Sequence, residues 1–373
     1  MANKNSERDF ILLQHVKTGK YDLVKSMLLS GKYNREFRDD NDRTALHWAA
    51  EYGYYNITCA LNECKWDVNA TDYKNQVPLI IACNYKHADI ASYLIAVGCD
   101  VNIKDATGNT PLHRAIRANL ENTVCMLLGA GADIHIKNES HWTPLHEAVR
   151  MGNEYIVRRL LKLGANVNAT IPDSNGTPFA TAVFYFKISK TNHYKNLDSI
   201  GKMLIENGCY LSYYDRQWTP LLSSISICNS YLASLLLFHG CLLECPKSYS
   251  RSLFVDAFTC CDAIVVKLLI ICGYRITLEE IELCARIIPT YSSAPFAGLD
   301  LGTNGVQTIQ WLKKHILKVP LLSEVCRVSI RKSLNYGSND TSIIKNIDKL
   351  VLPSKLKQYI RLDELGSICS EPI

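Results

Sequence analysis

Residues 109–113 read Asn-Thr-Pro-Leu-His, and the same pattern stands 33 residues later as Trp142-Thr143-Pro144-Leu145-His146. Working outward, Arg43-Thr44-Ala45-Leu46-His47 and Gln76-Val77-Pro78-Leu79 precede it at the same step. Gly176-Thr177-Pro178-Phe179 follows after 34 residues and Trp218-Thr219-Pro220-Leu221 after 42, and a degenerate Arg251-Ser252-Leu253 closes the series. A second signal keeps phase. Leu94-Ile95, Leu127-Leu128, Leu160-Leu161, Leu204-Ile205, Leu236-Leu237 and Leu268-Leu269 each stand shortly before a glycine. The repeats end in Asp67-Val68-Asn69, Asp100-Val101-Asn102 and Asn166-Val167-Asn168. Proline suits the first turn of a helix, where its missing N–H costs nothing. The leucine behind it enters a core, the paired apolar residues line a second helix, and glycine ends that helix in the left-handed region. One such unit cannot bury its apolar face alone, so the units must stack.

Composition agrees with a packed chain. Of 373 residues, 47% are hydrophobic and 21% charged, which excludes wholesale disorder. A net charge of +5, from 41 basic and 36 acidic side chains, is too small to imply nucleic acid or a membrane surface as partner. The N-terminal MANKNSERDFILLQ lacks the apolar core of a secretory signal. The apolar run Ala263–Tyr274 (AIVVKLLIICGY) contains Lys267 and falls short of the roughly 20 residues a span needs. The expected location is therefore the cytoplasm or nucleus. Fifteen cysteines, an odd number, read in a reducing compartment as mostly buried thiols. Neither Cys260-Cys261 nor the Cys241, Cys245 pair has a second pair at zinc-finger spacing, so no metal or other cofactor is expected.

The 33-residue TPLH pattern resembles the ankyrin repeat. The resemblance implies an all-α ankyrin solenoid of about seven repeats over residues 40–276. A degenerate capping repeat is expected over 1–39, where Leu13, Val24 and Leu28 hold the phase, and a capping helix and linker over 277–319. Thr277-Leu278-Glu279-Glu280 has the spacing of a capping box, and Pro289 marks the expected end of that helix. Residues 186–196 read as an insertion between two helices. They form either a tolerated surface loop or, through Phe186, Lys187, Lys190, Tyr194 and Lys195, a candidate substrate contact.

From Trp311 the texture changes. Leu322, Cys326 and Ile330 fall on one helical stripe, and Leu350-Val351-Leu352-Pro353 is followed by Leu356 and Tyr359. The two elements together resemble a SOCS box, a short three-helix domain, over residues 320–361, with a tail at 362–373. The resemblance implies that Leu322, Cys326 and Ile330 bind elongin C and that Leu352, Pro353, Leu356 and Tyr359 bind a cullin. Two positions depart from the family pattern: Leu321 stands where a small or polar residue is usual, and Val351 stands where the first cullin-box proline is usual. The resemblance implies cullin-5 as the partner, and the departure at Val351 leaves cullin-2 open.

The order of the two domains is similar to that of the ankyrin repeat and SOCS box family. Membership would make the chain a non-catalytic adaptor of a ubiquitin ligase. It would bind a protein substrate through its repeats, and elongin C with elongin B, a cullin and a RING subunit through its SOCS box. The other reading is an ankyrin scaffold or inhibitor that recruits no ligase. His47, His113 and His146 fall one per repeat and read as turn-fixing residues, not as catalytic bases. Asn69, Asn102 and Asn168 read as turn hydrogen-bonding residues. No phosphate loop, nucleophile elbow or zinc-hydrolase motif stands out.

Overall fold

The computed structural model describes residues 2–172, 176–188, 196–211, 219–241, 243, 252–260 and 263–291. It forms two compact units, Met1–Asn166 and Val167–Ile373. The described residues are all-α, with one isolated bridge between Ile171 and Gly176.

The first unit holds five helix pairs: α1 (Ala2–Lys17) with α2 (Tyr21–Leu29), α3 (Ala45–Tyr52) with α4 (Tyr55–Glu63), α5 (Pro78–Asn84) with α6 (Ala88–Ala96), α7 (Pro111–Arg117) with α8 (Glu121–Gly129), and α9 (Pro144–Met151) with α10 (Glu154–Lys162). The first helices stack in the order α1, α3, α5, α7, α9, and the second helices stack beside them. Leu46, Leu79, Leu112 and Leu145, spaced 33 residues apart, are wholly buried on the first row. Leu61, Leu94, Leu127 and Leu160 repeat that pattern on the second. Each contributes about 1.5–3 kcal/mol relative to exposure, and only stacking supplies the surface that covers it.

In the second unit the described pairs are α11 (Pro178–Ile188) with α12 (Leu197–Glu206), α13 (Pro220–Ser226) with α14 (Ser230–Phe238), and α15 (Leu253–Cys260) with α16 (Ala263–Ile271); α17 (Leu278–Tyr291) follows. The same two rows recur. Helices α11, α13, α15 and α17 lie side by side, as do α12, α14 and α16.

Pro78, Pro111, Pro144, Pro178 and Pro220 each open a helix, as the spacing requires. Gly98, Gly131, Gly164, Gly208, Gly240 and Gly273 all take positive φ, between 83° and 99°, just past the second helices. The capping box of α17 is present. The amide of Thr277 donates to Glu280 Oε2 at 2.8 Å, and the amide of Glu280 donates to Thr277 Oγ1 at 3.2 Å.

Three expectations need correction. Helix α17 runs two residues past Pro289 to Tyr291. A proline in the last turn removes only the bond back to Ala285, so it ends the helix within the turn and not at its own position. Helix α11 reaches Ile188 because residues 180–188 contain no glycine or proline to stop it. Phe186 and Lys187 therefore extend a helix, while Lys190, Tyr194 and Lys195 lie outside the described residues. Finally, of eleven described cysteines only Cys83, Cys99, Cys209, Cys241 and Cys284 are buried; Cys228 is exposed and the other five are half-buried, because several thiols sit at helix ends and on outer faces. All eleven are free thiols. Burial pushes Cys83 and Cys99 up to about 12, which leaves them inert.

Candidate protein-binding face

The first unit builds a continuous face from its first helices and the turns that precede them. Each turn is a short hairpin. Asp39, Asp72, Asp105 and Asn138 donate their amides to the carbonyls of Arg43, Gln76, Asn109 and Trp142, four residues on, at 3.0 Å each. The tip residues Asp42, Asn75, Gly108 and His141 take positive φ, a conformation that glycine, asparagine and aspartate tolerate best. Successive hairpins are tied together. The amides of Tyr73, Ala106 and Glu139 donate to the carbonyls of Asn41, Lys74 and Thr107 at 3.2, 2.7 and 3.1 Å.

One side chain organises each hairpin. Asp105 Oδ1 accepts from the amides of Thr107 and Asn109, while its Oδ2 accepts from Arg114 Nε at 2.9 Å. Asp39 Oδ1 takes the amides of Asn41 and Arg43, and its Oδ2 takes the indole N–H of Trp48 at 2.8 Å. Burial alone would raise both carboxyls. The hydrogen bonds they accept outweigh that effect and, with Arg114 beside Asp105 and Lys17 beside Asp39, hold them below the usual range. The sequence reading missed this series. Its signal was available: an Asp or Asn stands five residues before Thr44, Val77, Thr110 and Thr143, at the same 33-residue step.

The repeat histidines join a helix cap to the next repeat. The amide of Thr44 donates to His47 Nδ1 at 3.1 Å, and His47 Nε2 lies 3.0 Å from the carbonyl oxygen of Gln76. A carbonyl only accepts, so the proton sits on Nε2 and Nδ1 is the acceptor. His113 repeats the arrangement with Thr110 and the Trp142 carbonyl, the latter at 3.1 Å. Burial lowers both histidines to about 4, so they are neutral at physiological pH. The reading of these residues as turn-fixing follows from their bonds. The asparagines also reach across repeats. Asn69 Oδ1 accepts from the Asp100 amide at 2.9 Å, and Asn102 Oδ1 from the Asp133 amide at 2.8 Å.

The exposed chemistry of this face changes along it. At its N-terminal end, Trp48 carries Lys17 Nζ 4.0 Å and the Arg43 guanidinium 4.8 Å from its ring centroid, and stacks on Tyr52. Tyr52 meets Tyr54, and the Tyr85 hydroxyl donates to Glu51 Oε1 at 2.9 Å. Further on the helices present arginines. Arg117 and Arg150 both pair with Glu147, whose side chain is wholly buried, at 2.6 and 2.8 Å. Aromatic and arginine side chains on a rigid framework are the residues most often found anchoring protein interfaces. Among the described residues no group of three or more His, Cys, Asp or Glu could hold a metal ion. Nor is any described helix long and apolar enough to cross a membrane.

The residues expected to bind elongin C (Leu322, Cys326, Ile330) and a cullin (Leu352, Pro353, Leu356, Tyr359) lie outside the described residues. Family comparison addresses that part of the chain. A model of three ankyrin repeats matches residues 1–72 and 59–138, a single ankyrin repeat matches 140–171, and a SOCS box matches 318–361. The ankyrin matches stop at 171, although helix pairs continue beyond it in the second unit. No curated protein matches the chain. A SOCS box implies elongin C-type binding in general, and the domain composition supports a general adaptor role in a cullin–RING ligase. The chain thus joins ankyrin repeats to a C-terminal SOCS box, the domain composition of the ankyrin repeat and SOCS box family.

Proposed function

We propose that this protein is the substrate-recognition adaptor of a cullin–RING ubiquitin ligase. Its ankyrin face binds a protein substrate. Its SOCS box holds elongin C with elongin B and, through its own cullin-box residues, cullin-5 with a RING subunit, in the cytoplasm or nucleus. The substitution of Val351 for the first cullin-box proline leaves cullin-2 as the competing partner. The chain performs no chemistry of its own. It raises the effective concentration of a substrate lysine near the charged conjugating enzyme. The observation that carries this reading is the SOCS-box match at residues 318–361 behind ankyrin repeats in one chain. Contact of Phe186, Lys187, Lys190, Tyr194 and Lys195 with substrate remains part of the proposal.

Co-expression with elongin B and elongin C tests it. Leu322→Ala with Cys326→Ala removes two apolar contacts of one stripe. A buried leucine alone contributes about 1.5–3 kcal/mol, and roughly 1.4 kcal/mol is tenfold in affinity. The double variant should capture elongin C at least about tenfold less. Pro353→Ala with Leu356→Ala should retain elongin C and lose the cullin. Elongin capture unchanged by the first pair would leave only the scaffold reading.

A further inference from the structure

Charge is sorted across the second and third repeats of the first unit, residues 71–136. On the first-helix and hairpin side, residues 71–87 and 104–119 contain Lys74, Lys86, Lys104, Arg114 and Arg117 against only two carboxylates, Asp72 and Asp105. Both carboxylates are buried, and each faces an arginine, Arg43 and Arg114 respectively. The second-helix side, residues 88–103 and 120–136, contains Asp89, Asp100, Glu121 and Asp133, all exposed, and no lysine or arginine. The cationic side continues into the fourth repeat with Lys137, Arg150 and the Arg117–Glu147–Arg150 cluster, in which the only carboxylate is buried; Glu139 at the hairpin tip is the one exposed acid there. The cations are placed by the repeat itself. Lys104 and Lys137 hold the same register one repeat apart, and Lys104 Nζ donates to the Lys137 carbonyl at 3.2 Å. Tyr73, Tyr85 and Trp142 stand among them, the two tyrosines about half exposed.

We infer that this side, across residues 71–152, docks an acidic protein segment carrying apolar or aromatic side chains. The inference deepens the proposed substrate-binding role by naming the chemistry of the substrate. Buried carboxylates cannot reach a ligand, whereas the lysines extend into solvent, so an approaching anion meets cations with little competition. In the second and third repeats the opposite charge of the second-helix side turns an acidic partner toward this face. In the fourth, α10 carries Arg158, Arg159 and Lys162, all exposed, and these supply the charge-matched control. Bases could stack on these rings as well as side chains can, but a net charge of only +5 over 373 residues favours a polypeptide over a nucleic acid.

Fluorescence anisotropy on the full chain provides the test. The probes are a labelled peptide of mixed glutamate, tyrosine and leucine, the same peptide with glutamine for glutamate, and a single-stranded oligonucleotide of equal net charge. The acidic peptide should bind at least tenfold more tightly than its glutamine form, and weaken several-fold between about 50 and 200 mM salt. Lys104→Glu with Lys137→Glu should cost a further tenfold or more. Arg158→Glu with Lys162→Glu, an equal change of charge on exposed positions of α10, should shift affinity less than twofold. Thermal melting confirms that both variants are folded. Equal loss in the two variants, no preference for the acidic peptide, or an oligonucleotide bound as tightly as the peptide would overturn the inference. Elongin C capture is read separately and does not depend on this face, so either claim can fail alone.

Discussion

His47 and His113 each tie a helix cap to the neighbouring repeat through a single proton position. Their depressed pKa has a definite consequence for stability. The unfolded chain binds protons near 6.5 and the folded chain only near 4, so in that window the unfolded state holds more protons and stability rises with pH. The contribution is complete above about 6.5 and is lost as pH falls toward 4. Each shift, from 6.5 to about 4, corresponds to roughly 3 kcal/mol. His47→Gln with His113→Gln should flatten the loss of stability in urea titrations between pH 6.5 and 4; an unchanged slope would refute the assignment. Gly108 is a second such residue. Its φ is +73°, and an added Cβ would lie 2.7 Å from the backbone nitrogen of Glu139. Backbone cannot step aside as a side chain can, so Gly108→Ala should destabilise by about 1–3 kcal/mol and lower the melting temperature.

At the scale of elements, the helices were legible because proline, buried leucine and terminal glycine each mark one position of a repeating unit. The hairpins were not. Asp39, Asp72 and Asp105 read in isolation as ordinary turn residues, and nothing local distinguishes a surface aspartate from one that accepts two amides and an arginine. Only the common register reveals the series, and the sorting of charge between the two sides emerges once that register is laid on the helix pairs. The run past Pro289 and the extension of α11 to Ile188 show the opposite limit: sequence signals fix that a helix ends more firmly than where it ends. Asp105 gives the test at this scale. Asp105→Ala leaves Arg114 without its carboxylate and two hairpin amides without their acceptor, and should cost about 3 kcal/mol. Adding Arg114→Met should recover part of that loss in the same urea titration. Additive costs would show that the pair does not act as a unit.

For the whole molecule, the proposed function assigns recognition to the repeats and recruitment to the SOCS box, and the two should be separable. Repeat units contact mainly their neighbours, so changes in the box should leave the helical signal and melting of the array intact. The central claim is that the box of this chain engages elongin C. Isothermal titration of purified elongin B–elongin C into the full chain, and into a chain ending at Val319, measures it directly. The account predicts one-to-one binding by the full chain and none by the shortened one, with both forms folded by circular dichroism. No heat of binding to the folded full chain, or equal binding by the two, would contradict it.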